Sequence, residues 1–134
     1  MPIVVAGAVI DGDKLLIAQR SKPPELAGQW ELPGGKVANG ESEPQALARE
    51  LHEELGITVT VGSRLGHDVA GIGPDGTLVL RAYRARLDGG TPHPHEHLAL
   101  RWVGADELDT VGWVAADAGW VSALRQALVG ARPV

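Results

Sequence analysis

Apolar residues in this chain fall in short runs punctuated by glycine, proline and acidic residues, and their spacing changes along the sequence. Ile3 to Val9 and Lys14 to Ala18 are nearly continuous apolar runs on either side of Asp11-Gly12-Asp13. That layout predicts two strands joined by a hairpin turn. Ser21 to Gln29 breaks the pattern, because Pro23-Pro24 removes two backbone donors and fixes two φ angles, so a loop is expected there. Ser42 to Leu55 switches to helical spacing. Ser42 with Gln45 forms a capping-box pattern, Pro44 is tolerated in the first turn, and Gly56 stands where a left-handed cap ends a helix. Thr58 to Leu65, Leu78 to Leu87 and Leu98 to Val103 read as further strands from their β-branched content and length. A last helix is expected from about Ala118 to Val129, with Trp120, Val121, Leu124, Ala127 and Leu128 on one buried face. Strands interleaved with two helices imply an α/β fold, an α/β/α sandwich around a central mixed sheet.

Composition narrows the chemistry. At 134 residues and 44% hydrophobic content, one domain spanning 1–134 with one core is expected. No cysteine is present, which removes disulfides, thiolate zinc sites, iron–sulfur clusters and thiol nucleophiles. Any metal must therefore sit on oxygen or imidazole. The longest apolar run, Ile3 to Ile10, is far short of the roughly 20 residues of a membrane span and lacks a signal-peptide flank. A cytoplasmic protein with no membrane partner is expected. Seventeen acidic against twelve basic residues give a net charge of −5, which argues against polymeric nucleic acid as partner. The same charge would repel a small phosphate substrate unless cations or local arginines intervene.

On the Ser42 helix, Glu50, Glu53 and Glu54 stand at i, i+3 and i+4, beside a Leu47, Leu51 and Leu55 stripe. The leucines are placed to bury against a sheet, with the carboxylates along the edge of that contact. Like charges at this spacing repel, so either the face is solvated or something positive sits on it, and a hard divalent cation is the natural partner. The upstream residues favour the second reading. Gly35, Glu41, Arg49, Glu50, Leu51, Glu53, Glu54, Gly56 and Ile57 satisfy G-x5-E-x7-R-E-U-x-E-E-x-G-U, where U is aliphatic. A chance match is on the order of 10⁻¹⁰ per starting position at ordinary residue frequencies.

This spacing is the signature of the Nudix hydrolases, and the chain resembles that family from its first strand to its last helix, with the signature box at residues 35–57. The resemblance implies a strand–loop–helix unit within the sandwich and Mg²⁺-dependent hydrolysis of a nucleoside diphosphate linked to another group, with Mn²⁺ as a substitute metal. It assigns metal ligands to the Gly34 carbonyl, Glu50, Glu53 and Glu54, with Glu50 or Glu53 as the base. Physical reasons stand beside these assignments. Gly34-Gly35 permit a close approach that a side chain would block, and Arg49, four residues before Glu53, can hold that carboxylate in one rotamer. Glu41, just before the cap, can fold back toward the metal face.

The segments from Leu15 to Arg20 and from Pro24 to Val37 are similar to the MutT branch, which acts on nucleoside triphosphates. That resemblance puts Arg20 on substrate phosphate, with Glu31 and Lys36 as further substrate-binding candidates. In His93-Pro94-His95-Glu96-His97, period two would set three histidines on one side of an extended metal-binding segment, but Pro92 and Pro94 mark a loop. The resemblance points instead to Glu96, an acid that approaches the metals. Asp117 opens the last helix, where an ordinary N-cap is the alternative to the contact with the base edge that the resemblance to the MutT branch implies. An ionised carboxylate accepts only, which suits the exocyclic amine of cytosine.

The run Trp113 to Asp117 most resembles the subgroup holding the CTP pyrophosphohydrolases and the second mycobacterial MutT homologue, which implies CTP, dCTP or 5-methyl-dCTP as substrate. Two departures stand out: Ala116 where that subgroup usually has proline, and a strand more polar at Arg81 and Tyr83 than in oxidised-guanine specialists. Trp120 is expected in the core, and Trp30 precedes the glycine pair at a place where it could line a pocket. An 8-oxo-dGTP diphosphatase is the competing enzyme, and a nucleotide sensor without turnover is the competing class. Monomer and homodimer are both compatible with the sequence.

Overall fold

The computed structural model describes residues 2–130. Its elements are β1 (Ile3–Asp11), β2 (Lys14–Gln19), β3 (Trp30–Glu31), β4 (Gly34–Lys36), α1 (Glu43–Leu55), β5 (Thr58–Ile72), β6 (Leu78–Gly89), β7 (Ala99–Val103), a 3₁₀ turn (Ala105–Thr110), α2 (Ala115–Ala118) and α3 (Val121–Gly130). β1 runs parallel to β6 along eight residues, β5 closes that edge antiparallel to β6, and the sheet is therefore mixed.

The first hairpin decides where the cleft lies. β1 and β2 pair only at Ile10–Leu15 and Asp11–Lys14, then part. The freed edge of β1 takes β4, with Val5 opposite Gly35, and the freed edge of β2 takes β3, with Ala18 opposite Glu31. β7 covers the other edge of β2. Neither β3 nor β4 was foreseen from the sequence, since two- and three-residue strands carry no periodicity and exist only because the parted hairpin leaves backbone donors and acceptors to be satisfied.

Alternate residues of β1 serve opposite faces. Val5 and Val9 pack with Leu47, Leu51 and Leu55 of α1, while Ala6 and Ala8 pack with Trp120, Leu124 and Leu128. This two-sided burial explains why β1 and β2 are almost continuously apolar. α1 is as expected: the capping box at Ser42 and Gln45 is formed, and Gly56 ends the helix in the left-handed region with φ 72°. Arg81 Nη1 donates to Glu43 at 2.7 Å and the Tyr83 hydroxyl donates to it at 2.6 Å, so β6 grips the first turn of α1.

The last helix departs from the expectation. It starts earlier and is split, because Trp120 N–H bonds to Asp117 O in a tight turn through Gly119 before α3 begins. That turn drives the Trp120 ring into the core, where it is 1% exposed and donates its Nε1–H to His67 O.

Candidate active site

α1 presents its carboxylates at the end nearest the parted hairpin. Arg49 organises them: its Nε and Nη2 meet both oxygens of Glu41 at 2.6 and 2.9 Å, and its Nη1 reaches Glu50 at 3.0 Å and Glu53 at 3.3 Å. Its Nη2 also donates to Lys36 O, tying α1 to β4. The i, i+4 bond to Glu53 is thus present and is the longest of the three. Glu41 folds back onto Arg49, the arginine that also holds Glu50 and Glu53, and Arg49 with the Ala38 N–H holds its carboxylate down at about 2; it does not itself line the cleft.

The glycine pair acts through space. A Cβ on Gly35 would lie under 3.0 Å from the Glu50 side chain, and one on Gly34 under 3.0 Å from the Val5 backbone. Neither glycine has a positive φ, so close approach alone is what they provide.

A cleft of about 150 Å³ opens between the parted strands, lined by Arg20, Ser21, Lys22, Glu31, Gly34, Glu54, Glu96 and His97. Of the residues singled out from the sequence, Arg20, Glu31, Gly34, Glu54 and Glu96 meet there. Glu50 and Glu53 stand beside it on α1, while Lys36 is exposed on β4 and does not line it. Burial, and then the charge of Glu50, push the Glu54 carboxyl up to about 7; Glu96 and Glu31 add to this, and His97 offsets it in part. Of the four carboxylates in this space, Glu31 pairs with Arg20 and Glu50 with Arg49, while no ion pair among the described residues reaches Glu54 or Glu96. Hard oxygen donors gathered in this way fit a divalent cation, and Glu54, Glu50, Glu53, Glu96 and the Gly34 carbonyl are the residues that would hold it. In the present rotamers no three His, Asp or Glu side chains among the described residues form a closed ligand set. Glu53, with its side chain 58% exposed, has room to turn.

The three histidines of this loop do not share one side as a metal-binding segment would require. His93 and His95 are exposed in a loop, and His97 alone turns inward, its Nε2 3.0 Å from Glu31. Ser21 and Lys22 were missed; their only signal was following Arg20 into the proline loop.

Asp117 is not an N-cap. It lies inside α2, which Val114 caps. Its side chain is 3% exposed, and its Oδ2 accepts the Leu32 N–H at 2.8 Å. Burial dominates its environment and pushes it up to about 7, with the Glu31 charge adding and the Leu32 bond opposing. Together with the Val114 N–H to Trp30 O bond, it clamps the last segment onto β3. The polarity of Arg81 and Tyr83 is likewise explained by Glu43 and says nothing about a base.

The model of the NUDIX domain matches residues 1–124. The chain is 57% identical over 131 residues to the Mycobacterium tuberculosis protein named "Putative 8-oxo-dGTP diphosphatase 2", covering 96% of this chain and 91% of that one. It is 41% identical over 133 residues to the CTP pyrophosphohydrolase of Escherichia coli, covering 98% and 96%. The solution structure of the E. coli ORF135 protein superposes with a TM-score of 0.78 at 38% identity, covering 100% of this chain and 94% of that one.

Proposed function

The chain belongs to the NUDIX domain family, and from that premise we propose that it hydrolyses a nucleoside triphosphate to the monophosphate and diphosphate with Mg²⁺, cytosine nucleotides being preferred. The observation that carries this reading is the cleft itself, in which Arg20 and Lys22 face Glu54, Glu96 and the Gly34 backbone. Phosphate and a cation can be accommodated side by side only where both signs of charge line one space.

When bound, Mg²⁺ would neutralise phosphate oxygens and make water more acidic. The chain's own residues do the rest. Arg20 and Lys22 hold the polyphosphate, Arg49 keeps Glu50 oriented, and Glu50 or Glu53 takes the proton from the attacking water. Asp117 supplies an acceptor for the exocyclic amine of the base, with Leu32 N–H fixing its rotamer. The single-domain extent over 1–134 and a cytoplasmic place belong to the same proposal.

A second reading has specific support. The M. tuberculosis relative is named for 8-oxo-dGTP, and its identity to this chain is the higher of the two. Comparing kcat/KM for dCTP, 5-methyl-dCTP and 8-oxo-dGTP separates the two. Higher values for the cytosine pair uphold the proposal, a higher value for 8-oxo-dGTP replaces it with the second reading, and binding without diphosphate release would make the domain a sensor.

A further inference from the structure

We propose that His97 is a positioning residue for Arg20, acting through Glu31. Glu31 has one carboxylate oxygen 2.9 Å from Arg20 Nη1 and the other 3.0 Å from His97 Nε2, so each oxygen is fixed by a different partner. Arg20 Nε donates to Lys22 O at 3.0 Å. With Nε and Nη1 occupied, Nη2 is the nitrogen left for a ligand. The direction in which it points depends on the plane of the Glu31 carboxylate, and His97 sets that plane.

The histidine itself is held. Ser21 Oγ donates to Glu96 O at 2.7 Å and Leu98 N–H donates to Gln19 O at 2.9 Å, so the backbone on both sides of His97 is bound to the strand end and loop that carry Arg20. Its side chain is only 10% exposed, and Nδ1 is buried without a partner. A buried unpaired nitrogen is costly, and a leucine of similar size would avoid it. Packing therefore does not account for a histidine here, whereas orientation of Glu31 does.

The inference rests on the reading that Arg20 binds substrate phosphate. Losing a charge-assisted hydrogen bond that fixes such a group should weaken ground-state binding about tenfold. His97→Leu is expected to raise KM for the preferred triphosphate by that factor, with kcat within about threefold, because the arginine remains present but is no longer aimed. His97→Gln, whose amide can donate to Glu31, should restore most of the loss. Combined with Arg20→Ala, His97→Leu should add almost nothing. Calorimetric binding of the non-hydrolysable α,β-methylene analogue of dCTP should follow the same pattern, with thermal midpoints recorded for each variant. An unchanged KM and analogue affinity in His97→Leu, additive losses in the double variant, or a Gln variant as impaired as Leu would overturn the inference. Failure of the wild-type protein to turn over any nucleotide would instead sink the functional reading, and the analogue titration would still test the positioning role. If the wild-type protein did not bind the analogue either, both would fall.

Discussion

Glu54 and Asp117 lie on opposite faces of the sheet, and burial pushes both up to about 7. Their surroundings nevertheless differ. Glu54, half-buried, is crowded by Glu50, Glu96 and Glu31, so a bound cation would restore its charge at once. Asp117 is buried, accepts the Leu32 N–H, and feels the charges of Glu31 and Arg20 in opposite senses. A shared direction of shift thus conceals two kinds of site. One is a gap in charge that a cation would fill, and the other is a strut that ties α2 to Leu32.

The sharpest way to break this contrast is to neutralise the cleft. Glu54→Gln and Glu53→Gln should each cut kcat by about 10²–10⁴-fold; the thermal midpoint should rise in the first, where a repelled carboxylate becomes an amide, and hold in the second, where an exposed ion pair with Arg49 is lost. Full Mg²⁺-dependent turnover in both variants would show that the crowding is incidental. Next in size, the glycine pair separates fold from chemistry. Gly34→Ala meets the rigid Val5 backbone and should destabilise the protein by about 3 kcal/mol, read by denaturant titration. Gly35→Ala meets only the Glu50 side chain and should remain folded while losing turnover. A stable, active Gly34→Ala protein would refute the close packing of β4 on β1.

The pH dependence distinguishes the two carboxyls directly. Each has a folded value above its ordinary one, so the stability each contributes is complete below about pH 4 and is lost as pH rises through 7. For Asp117 the loss is at most about 4 kcal/mol; for the half-exposed Glu54 solvent screening makes it smaller. In EDTA, stability should fall between pH 5 and pH 8 through both groups. Mg²⁺ should remove the Glu54 part only, and Asp117→Asn should flatten what remains while altering base preference more than overall rate. A slope abolished by Mg²⁺ alone would contradict the burial assigned to Asp117. The smallest effect is expected on the far face, where Trp120→Phe gives up the bond to His67 O and should cost about 1 kcal/mol with kcat unchanged.

Much of this could be read in advance because it is local. The Ser42 cap, the leucine stripe and the three glutamates all lie within one helix, whose 3.6-residue period fixes their relative directions. The two-sided apolar runs of β1 and β2 and the turn between them have the same character. Arg20, Gly34 and Glu96 were found by resemblance of motif and not by any property of their own segments. Glu41 lies close enough to the cap to fold back, but that it shares Arg49 with Glu50 and Glu53 is decided by side-chain packing that its spacing does not record. The N-cap alternative for Asp117 fails because the helix is split at the turn through Gly119 and its first piece starts earlier, with Val114 as the cap.

By itself, then, the sequence determined the helix with its acids and the strands with their faces, since each depends on neighbours a few positions apart. Tertiary structure alone decided the parting of β1 and β2, the short strands that fill it, the placing of Glu31 between Arg20 and His97, and the burial of Asp117 on the Leu32 N–H. These join residues as far apart as Leu32 and Asp117. Contacts of that range are set by which backbone edges are left unpaired and which side chains must leave water, and no local spacing records either.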